Sequence, residues 1–138
     1  EAVHYFRKAI ELQPDYAEAL NYLGYMWADR GEHLEEARSL IEGAVDLEPE
    51  SAAFLDSLAW VLHQLGDSEA ALAPMLKAID RVPEPDPILF DHLGDIRAAL
   101  GHWDDAREAW RRALDLEPND RIREKLERRE AEAPAQTP

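Results

Sequence analysis

The 138-residue sequence has no cysteine, half as many basic as acidic residues, and no long apolar run. Without cysteine the chain can form neither disulfide bonds nor thiolate metal sites, and it suits a reducing or an oxidising compartment equally. Its 15 lysine and arginine residues against 30 aspartate and glutamate residues give a formal net charge of −15, which repels nucleic-acid phosphates and anionic lipids. No apolar stretch approaches the roughly 20 residues of a membrane span, and no segment has the pattern of a signal peptide. Nucleic acid binding and membrane insertion are therefore disfavoured.

The composition is dominated by alanine, leucine and glutamate, and 33% of the residues are charged. Valine, isoleucine, phenylalanine and tyrosine are sparse beside them, which is typical of an all-helical protein. A length of 138 residues is that of one domain, and it suffices for a contiguous core if structural units stack on one another.

A unit of 34 or 35 residues recurs along the chain. Prolines close each copy, at Pro14, Pro49, Pro83 and Pro118. Five residues before each proline stand Ala9, Ala44, Ala78 and Ala113, and eight residues before it stand Phe6, Ile41, Met75 and Trp110. The first half of each complete copy carries Gly24, Ala59 or Gly94 and ends at Gly31, Gly66 or Gly101. This register predicts two packed helices per unit, with small residues where the helices touch.

The register also predicts the organisation of the chain as a single repeat domain over residues 1–132. We expect a half unit with the second helix only at 1–16, complete units at 17–51, 52–86 and 87–120, a capping helix at 121–132 and a disordered tail at 133–138. The predicted fold class is an all-α solenoid of antiparallel helix pairs. The chain starts without methionine partway into a unit, so we expect it to be a piece of a longer protein.

Local signals refine this organisation. Side chains that can accept hydrogen bonds from a first helical turn precede four helices, namely Asp15, Ser51, Asp86, and Asn119 or Asp120. Pro74 falls about six residues into the second helix of its unit, so we expect a kink there or a helix that starts later. Between Gly31 and Ala37 the first complete unit has one residue more than the others, which predicts a bulged turn. In the terminal helix, Ile122 and Leu126 are the apolar contacts expected of a cap.

The unit resembles the tetratricopeptide repeat across nearly all of residues 1–120, with leucine or phenylalanine where a tryptophan is usual (Leu20, Leu55, Phe90) and Arg97 where an aromatic is usual. This resemblance implies a tetratricopeptide-type α-solenoid wound into a right-handed superhelix, which acts as a non-catalytic scaffold or adaptor for proteins. The run from Leu23 to Pro49 and its two counterparts also resemble the carboxy-terminal repeats of bacterial outer-membrane lipoproteins. Those lipoproteins are adaptors for a periplasmic carboxy-terminal processing protease. The narrower resemblance implies a periplasmic scaffold, while a cytoplasmic location stays open.

The family resemblance also implies which side chains line the concave, partner-binding groove: Asn21, Tyr22, Tyr25, Asp56, Trp60, His63, Asp91, His92 and Asp95. Tyrosine and tryptophan provide large, rigid contact surfaces with polar tips. Aspartates attract lysine and arginine, so the predicted partner is a protein or peptide segment of basic and apolar character. Relatives that clamp a chaperone's terminal carboxylate use lysine, arginine and asparagine at these places, and the three aspartates disfavour that function. The alternative is that these aspartates only solvate an exposed face and the binding site lies on the convex side or elsewhere in the parent protein.

Two other functions compete with protein binding. His63 and His92, with Asp91 and Asp95 nearby, suggest a metal site or an acid–base pair, but no specific ligand motif or glycine-rich phosphate loop accompanies them. We therefore predict no enzyme activity, no metal and no cofactor.

Self-association is the second function. The uncovered face of residues 1–12 could pair in a homodimer, or a basic terminal helix (Arg121, Arg123, Lys125, Arg128 and Arg129) could dock into a neighbour's acidic groove. The alternative for that helix is an ordinary solvated cap with charge pairs one turn apart, such as Glu124 with Arg128.

Overall fold

The computed structural model describes residues 2–132, and within that range all regular structure is helical. The helices are α1 (Ala2–Leu12), α2 (Ala17–Arg30), α3 (Leu34–Leu47), α4 (Ala52–Gln64), α5 (Ser68–Arg81), α6 (Pro87–Ala99), α7 (Trp103–Leu116) and α8 (Asp120–Glu132). The all-α class is confirmed. The chain divides into two compact units, unit 1 up to Glu84 and unit 2 from Pro85, and each is described by itself. The predicted tail at 133–138 lies outside the described residues, and the single-domain boundaries stay a prediction.

Unit 1 is built from two helix pairs and a leading helix. Helix α2 packs with α3, α4 packs with α5, α4 also contacts α2 and α3, and α1 lies against α2. The core centres on Leu23, Trp27, Ile41 and Val61, each at most 2% exposed. Burial of each such side chain contributes roughly 1.5–3 kcal/mol, so helix pairing rather than helix propensity stabilises the unit.

Unit 2 consists of one helix pair and the terminal helix. Helix α6 packs with α7, and α8 packs on α7. Ile122 and Leu126 are buried, which confirms them as the apolar contacts of the cap. Arg129 adds a cation–π contact, with its guanidinium carbon 3.6 Å from the centre of the Trp103 ring.

Capping side chains set where several helices begin. Ser51 Oγ accepts a hydrogen bond from the Phe54 N–H at 3.2 Å. Asp86 Oδ1 accepts from the Ile88 N–H at 2.9 Å, with proline in the first turn of α6, and Asn119 Oδ1 accepts from the Ile122 N–H at 3.0 Å. These three caps are confirmed, with Asn119 rather than Asp120 capping α8.

The predicted cap of α2 by Asp15 is wrong. Helix α2 starts after Tyr16 and has no side-chain cap, because the N–H of Tyr16 donates to the Gln13 carbonyl at 3.0 Å and Asp15 lies inside the turn that this bond closes. A cap that we did not predict belongs to α5, where Asp67 Oδ1 accepts from the Ala70 N–H at 3.2 Å.

Left-handed residues end the first helix of each pair. Gly31 has φ +70° and its N–H donates to the Ala28 carbonyl, and Gly66 and Gly101 also have positive φ. The extra residue of the first complete unit appears as His33, with φ +47°, the one non-glycine residue of positive φ in the described range. That conformation costs about 1–2 kcal/mol, and the His33 ring lies against Trp27 with 4.8 Å between centroids.

Pro74 is accommodated inside a continuous helix. Helix α5 begins at Ser68, so the prediction of a later start is wrong, and the predicted kink stays a prediction. Proline removes the N–H that would reach the Ala70 carbonyl. Ala70 is exposed, so water can reach this carbonyl, which lowers the cost of the missing bond.

The helix pairs touch most closely at glycines. A Cβ on Gly24 would lie 2.6 Å from Ile41 Cγ1 and 3.0 Å from the Ala37 carbonyl oxygen, and one on Gly94 would lie 2.2 Å from Trp110 Nε1. Gly43 differs, because an added Cβ would meet Leu20 Cδ1 at 3.5 Å, an ordinary van der Waals distance. The repeated small position therefore sets the separation within a pair.

Two alanine substitutions in the same helix pair test this geometry. Gly24→Ala should lower the free energy of unfolding by about 1–3 kcal/mol, because α2 and α3 must move apart. Gly43→Ala should raise it by about 0.5–1 kcal/mol, because alanine restricts the unfolded chain and fits without a clash. Urea denaturation followed by circular dichroism measures both, and a Gly24→Ala variant as stable as the native chain would contradict the close approach.

Candidate protein-binding surfaces

The predicted groove residues fall into two sets. Unit 1 carries six of them, Asn21, Tyr22 and Tyr25 on α2 and Asp56, Trp60 and His63 on α4. Unit 2 carries Asp91, His92 and Asp95 on α6. The two sets differ in burial. In unit 1 Tyr22 is exposed and the other five residues are partly buried, whereas two of the three unit 2 residues are buried.

Tyr22 is the most accessible member of the unit 1 set. Its side chain is 57% exposed, yet one face of its ring stacks on Phe6 of α1, with 5.7 Å between centroids and 23° between planes. Phe6 in turn meets the edge of Tyr5 at 5.5 Å. A ring held from one side and open on the other is a rigid contact surface, which limits the side-chain entropy lost on binding.

The α4 members are half-buried and tied to their surroundings. The Trp60 and His63 rings lie 5.1 Å apart, and His63 Nδ1 is 2.9 Å from the hydroxyl oxygen of Ser68 on α5. The adjacent Gln64 donates from Nε2 to the Ala28 carbonyl at 2.9 Å, which links α4 to α2. These contacts hold the α4 side of the set in place.

Asp91 and Asp95, the acidic pair, are engaged by the terminal helix of the same unit. Lys125 Nζ lies 2.8 Å from Asp91 Oδ1 and 3.0 Å from both oxygens of Asp95, and an Arg121 nitrogen lies 3.2 Å from Asp91 Oδ2. Trp110 Nε1 donates to Asp95 Oδ1 at 3.3 Å. The Asp91 side chain is only 4% exposed, so α8 supplies the cations that make its burial tolerable.

The pKa of the Asp95 carboxyl is raised, first because burial disfavours its charged form. The Lys125 ammonium opposes that shift, and the neighbouring Asp91 carboxylate adds to it. Because the folded state holds this proton more tightly than the unfolded chain, the contribution of Asp95 to stability falls as pH rises above the ordinary aspartate value of 3.8. Lys125 is therefore the group that keeps two adjacent carboxylates compatible with the fold at neutral pH.

The sequence indicates the basic residues of α8 and the aspartates of α6, but not the ion pairs between them. The two predictions for Arg121 and Lys125 are docking into a neighbour's groove and a solvated cap. In the structure both residues contact the acidic pair of their own unit. A signal was present, because Arg121 and Lys125 are one helical turn apart, as are Asp91 and Asp95.

The side-chain arrangement and the helix lengths also bear on metal binding and on membrane insertion. Among residues 2–132, no group of three or more histidine, aspartate or glutamate side chains is arranged to hold a metal ion. Over the same residues, no helix has the length and apolarity needed to span a bilayer.

The helical pairs define an all-α protein of the solenoid class, and comparison with known families makes the class specific. Models described as "Tetratricopeptide repeat" match residues 1–40, 31–84 and 87–120. The chain belongs to the tetratricopeptide repeat family. Proteins of this family generally mediate protein–protein interactions and are typically non-catalytic scaffolds.

The chain is 39% identical over 89 residues to the TPR repeat-containing protein PA4667 of Pseudomonas aeruginosa. The match covers 64% of this chain and only 15% of that relative's length. Among solved structures, MamA has a TM-score of 0.76 at 22% identity and covers 90% of this chain and 72% of its own. The thermophilic TPR protein TTC0263 of Thermus thermophilus has a TM-score of 0.75 at 21% identity, with coverages of 90% and 69%. The first TPR domain of human RPAP3 has a TM-score of 0.76 at 21% identity, with coverages of 86% and 92%, and these structural likenesses bear on the fold alone.

Removal of the lysine tests the coupling between α8 and the acidic pair. Loss of one partner of a buried ion pair costs about 3–5 kcal/mol, but Lys125 is a quarter exposed and Arg121 remains, so we expect Lys125→Met to lower the free energy of unfolding by about 2 kcal/mol. It should also raise the pKa of Asp95 further. Urea denaturation and a carbon-detected NMR titration measure the two effects.

The matched control is Arg128→Met, which removes the same charge from an exposed position of the same helix. Its effect on stability should stay within about 0.5 kcal/mol. Equal effects of the two variants would show that Lys125 contributes only its share of the net charge.

Proposed function

We propose that this chain is a non-catalytic protein-binding module that holds a basic and apolar partner segment on the face of unit 1 formed by α2 and α4. The observation that carries the proposal is Tyr22, an aromatic ring that is stacked on Phe6 and more than half exposed. Tyr25, Asp56 and Trp60 are the further contact residues that we propose on this face.

The charge of unit 1 supports a basic partner. Residues 1–84 contain 17 acidic and 6 basic residues, a formal net charge of −11, whereas residues 85–138 contain 13 and 9, a net charge of −4. Such an excess raises the association rate of a cationic segment and disfavours anionic ones.

The ion pairs of unit 2 support our proposal that unit 1 contributes the larger share of binding. Asp91 and Asp95 already have Lys125 and Arg121 as partners, so an incoming cation would have to displace charges that the chain supplies itself. The narrower role, an adaptor for a periplasmic processing protease, stays a prediction, because the chain spans only a small part of the curated relative it matches.

Selection of peptides from a random displayed library on the immobilised 138-residue chain tests the proposal. We expect enriched sequences to combine lysine or arginine with aromatic or aliphatic residues. Tyr22→Ala should weaken a selected peptide at least tenfold in fluorescence anisotropy, since anchors of this kind account for about 1.4 kcal/mol or more. Asp56→Asn should weaken it less and reduce its salt dependence.

Tyr16→Ala is the matched control, because Tyr16 is also an exposed aromatic residue of unit 1 and does not line the pocket beside Tyr22. It should leave the affinity within twofold. A selected peptide that binds the Tyr22→Ala variant as well as the native chain would contradict binding on this face, and enrichment of acidic peptides would contradict the partner's charge.

Self-association is a second candidate, favoured by the bare apolar side of α1. Tyr5 is 69% and Leu12 77% exposed, and both lie at the edge of unit 1. Burial of such side chains between two copies would produce a dimer that is insensitive to salt.

Light scattering coupled to size exclusion, over a concentration series at low and high salt, tests this candidate. The expected result is a dimer at high concentration that persists in high salt and is lost in a Tyr5→Ser/Leu12→Ser variant. A monomer throughout would contradict self-association. A dimer dispersed by salt would instead favour docking of a basic segment on an acidic face.

A further inference from the structure

A pocket of about 370 Å³ lies in unit 1 between the start of α2 and the start of α4. Glu18, Asn21 and Tyr22 of α2 form one side, and Phe54 of α4 with its N-cap residue Ser51 forms the other, with Glu48 from the preceding connection also lining the pocket. Tyr22 and Phe54 supply apolar walls, and Tyr22 belongs to the binding face proposed above. Space of this volume takes one long side chain of a bound segment.

The carboxylates of Glu18 and Glu48 and the side-chain oxygen of Asn21 are hydrogen-bond acceptors among the residues that line the pocket. Ionised carboxylates accept hydrogen bonds and donate none, which applies to Glu18 and Glu48. Asn21 Oδ1 is buried and accepts no hydrogen bond from the described part of the chain. This oxygen is shielded from solvent, so the accessible acceptors at the pocket are the carboxylates of Glu18 and Glu48, both of which are exposed residues.

Two basic residues of α5 form ion pairs with Glu50 and not with the glutamates that line the pocket. Lys77 Nζ and Arg81 Nε of α5 bind the two carboxylate oxygens of Glu50 at 2.8 and 2.9 Å. Their hydrogen bonds and positive charges lower the pKa of Glu50 from 4.5 to about 2. Within residues 2–132, Glu18 and Glu48 have no such cationic partner, so their negative charge remains at the rim of the pocket.

In unit 2 a lysine of the chain itself neutralises two neighbouring carboxylates. There the ammonium of Lys125 lies within 3.0 Å of both carboxylates of the acidic pair, and its stem is largely buried. Lysine combines a donor-rich cation with an apolar four-carbon stem, which suits a site of acidic rim and aromatic walls.

We infer that the pocket between α2 and α4 receives a lysine or arginine side chain of the bound partner segment. The inference rests on the proposed function and gives it a specific position. The aliphatic stem lies between Tyr22 and Phe54, while the cationic head donates to the carboxylates of Glu18 and Glu48.

Single-residue probes test the pocket without knowledge of the partner. The probes are the Nα-acetyl N-methylamides of lysine, arginine and norleucine, and norleucine keeps the stem of lysine without its charge. Titrated into the ¹⁵N-labelled 138-residue chain, the lysine or the arginine probe should shift the Asn21 side-chain amide and the backbone amides of Tyr22 and Phe54 in a saturable way. Norleucine should bind at least fivefold more weakly.

Paired variants separate the pocket from general acidity. Glu18→Gln/Glu48→Gln should weaken the lysine probe at least fivefold, whereas Glu11→Gln/Glu69→Gln, which removes the same charge from exposed positions of the same unit, should change it less than twofold. Equal binding of norleucine would overturn the inference, and so would equal effects of the two double variants.

The two proposals can fail separately. If a library-selected peptide binds on Tyr22 but keeps its affinity when each basic residue is replaced by norleucine or citrulline, the pocket inference fails and protein binding stands. If the lysine or arginine probe saturates the pocket but no peptide is enriched, protein binding on this face fails and the pocket stands as a site for basic side chains.

Discussion

The distance between the two helices of a pair is the constraint on which the structure depends. Gly24 lets Ile41 of the partner helix approach to a separation that no β-carbon could share, and Gly94 does the same for the larger Trp110. That approach closes the core around Leu23 and Trp27. It also fixes the face that α2 presents, because α2 cannot rotate without loss of this contact, and the hydrogen bond from Gln64 Nε2 to the Ala28 carbonyl links α4 to α2. Tyr22 is presented to solvent as a consequence.

Much of the fold could be predicted from the sequence, because its determinants are local and periodic. The proline spacing, the small residues and the glycine stops each report on one helix or one pair, and the caps at Ser51 and Asp86 depend only on atoms two or three residues away. The misses are of two kinds. Asp15 failed as a cap because the preceding turn, not the residue type, decides which side chain reaches the helix end. His33 shows that an inserted residue can be absorbed by one unusual backbone conformation, which no propensity would select.

The candidate site was less predictable, because tertiary packing decides which side chains of different helices come into contact. The nine groove positions followed from the family pattern, but their environments did not. Asp91 and Asp95 are matched by Lys125 from a helix about 30 residues further along the chain, while Glu18, Glu48 and Asn21 surround a pocket that repeat consensus does not describe. Charge composition reports how many acids a surface carries, and only packing decides which of them meet a cation.

The contact between Lys125 and the acidic pair also limits which sequences can follow α7. A helix laid over α6 and α7 without a cation one turn from its start would leave two carboxylates in a poorly hydrated site. A gene duplication that added another repeat after residue 120 would therefore meet an electrostatic barrier, unless its first helix kept that positive charge. In this way Asp91 and Asp95 restrict the sequence of any helix that packs after α7.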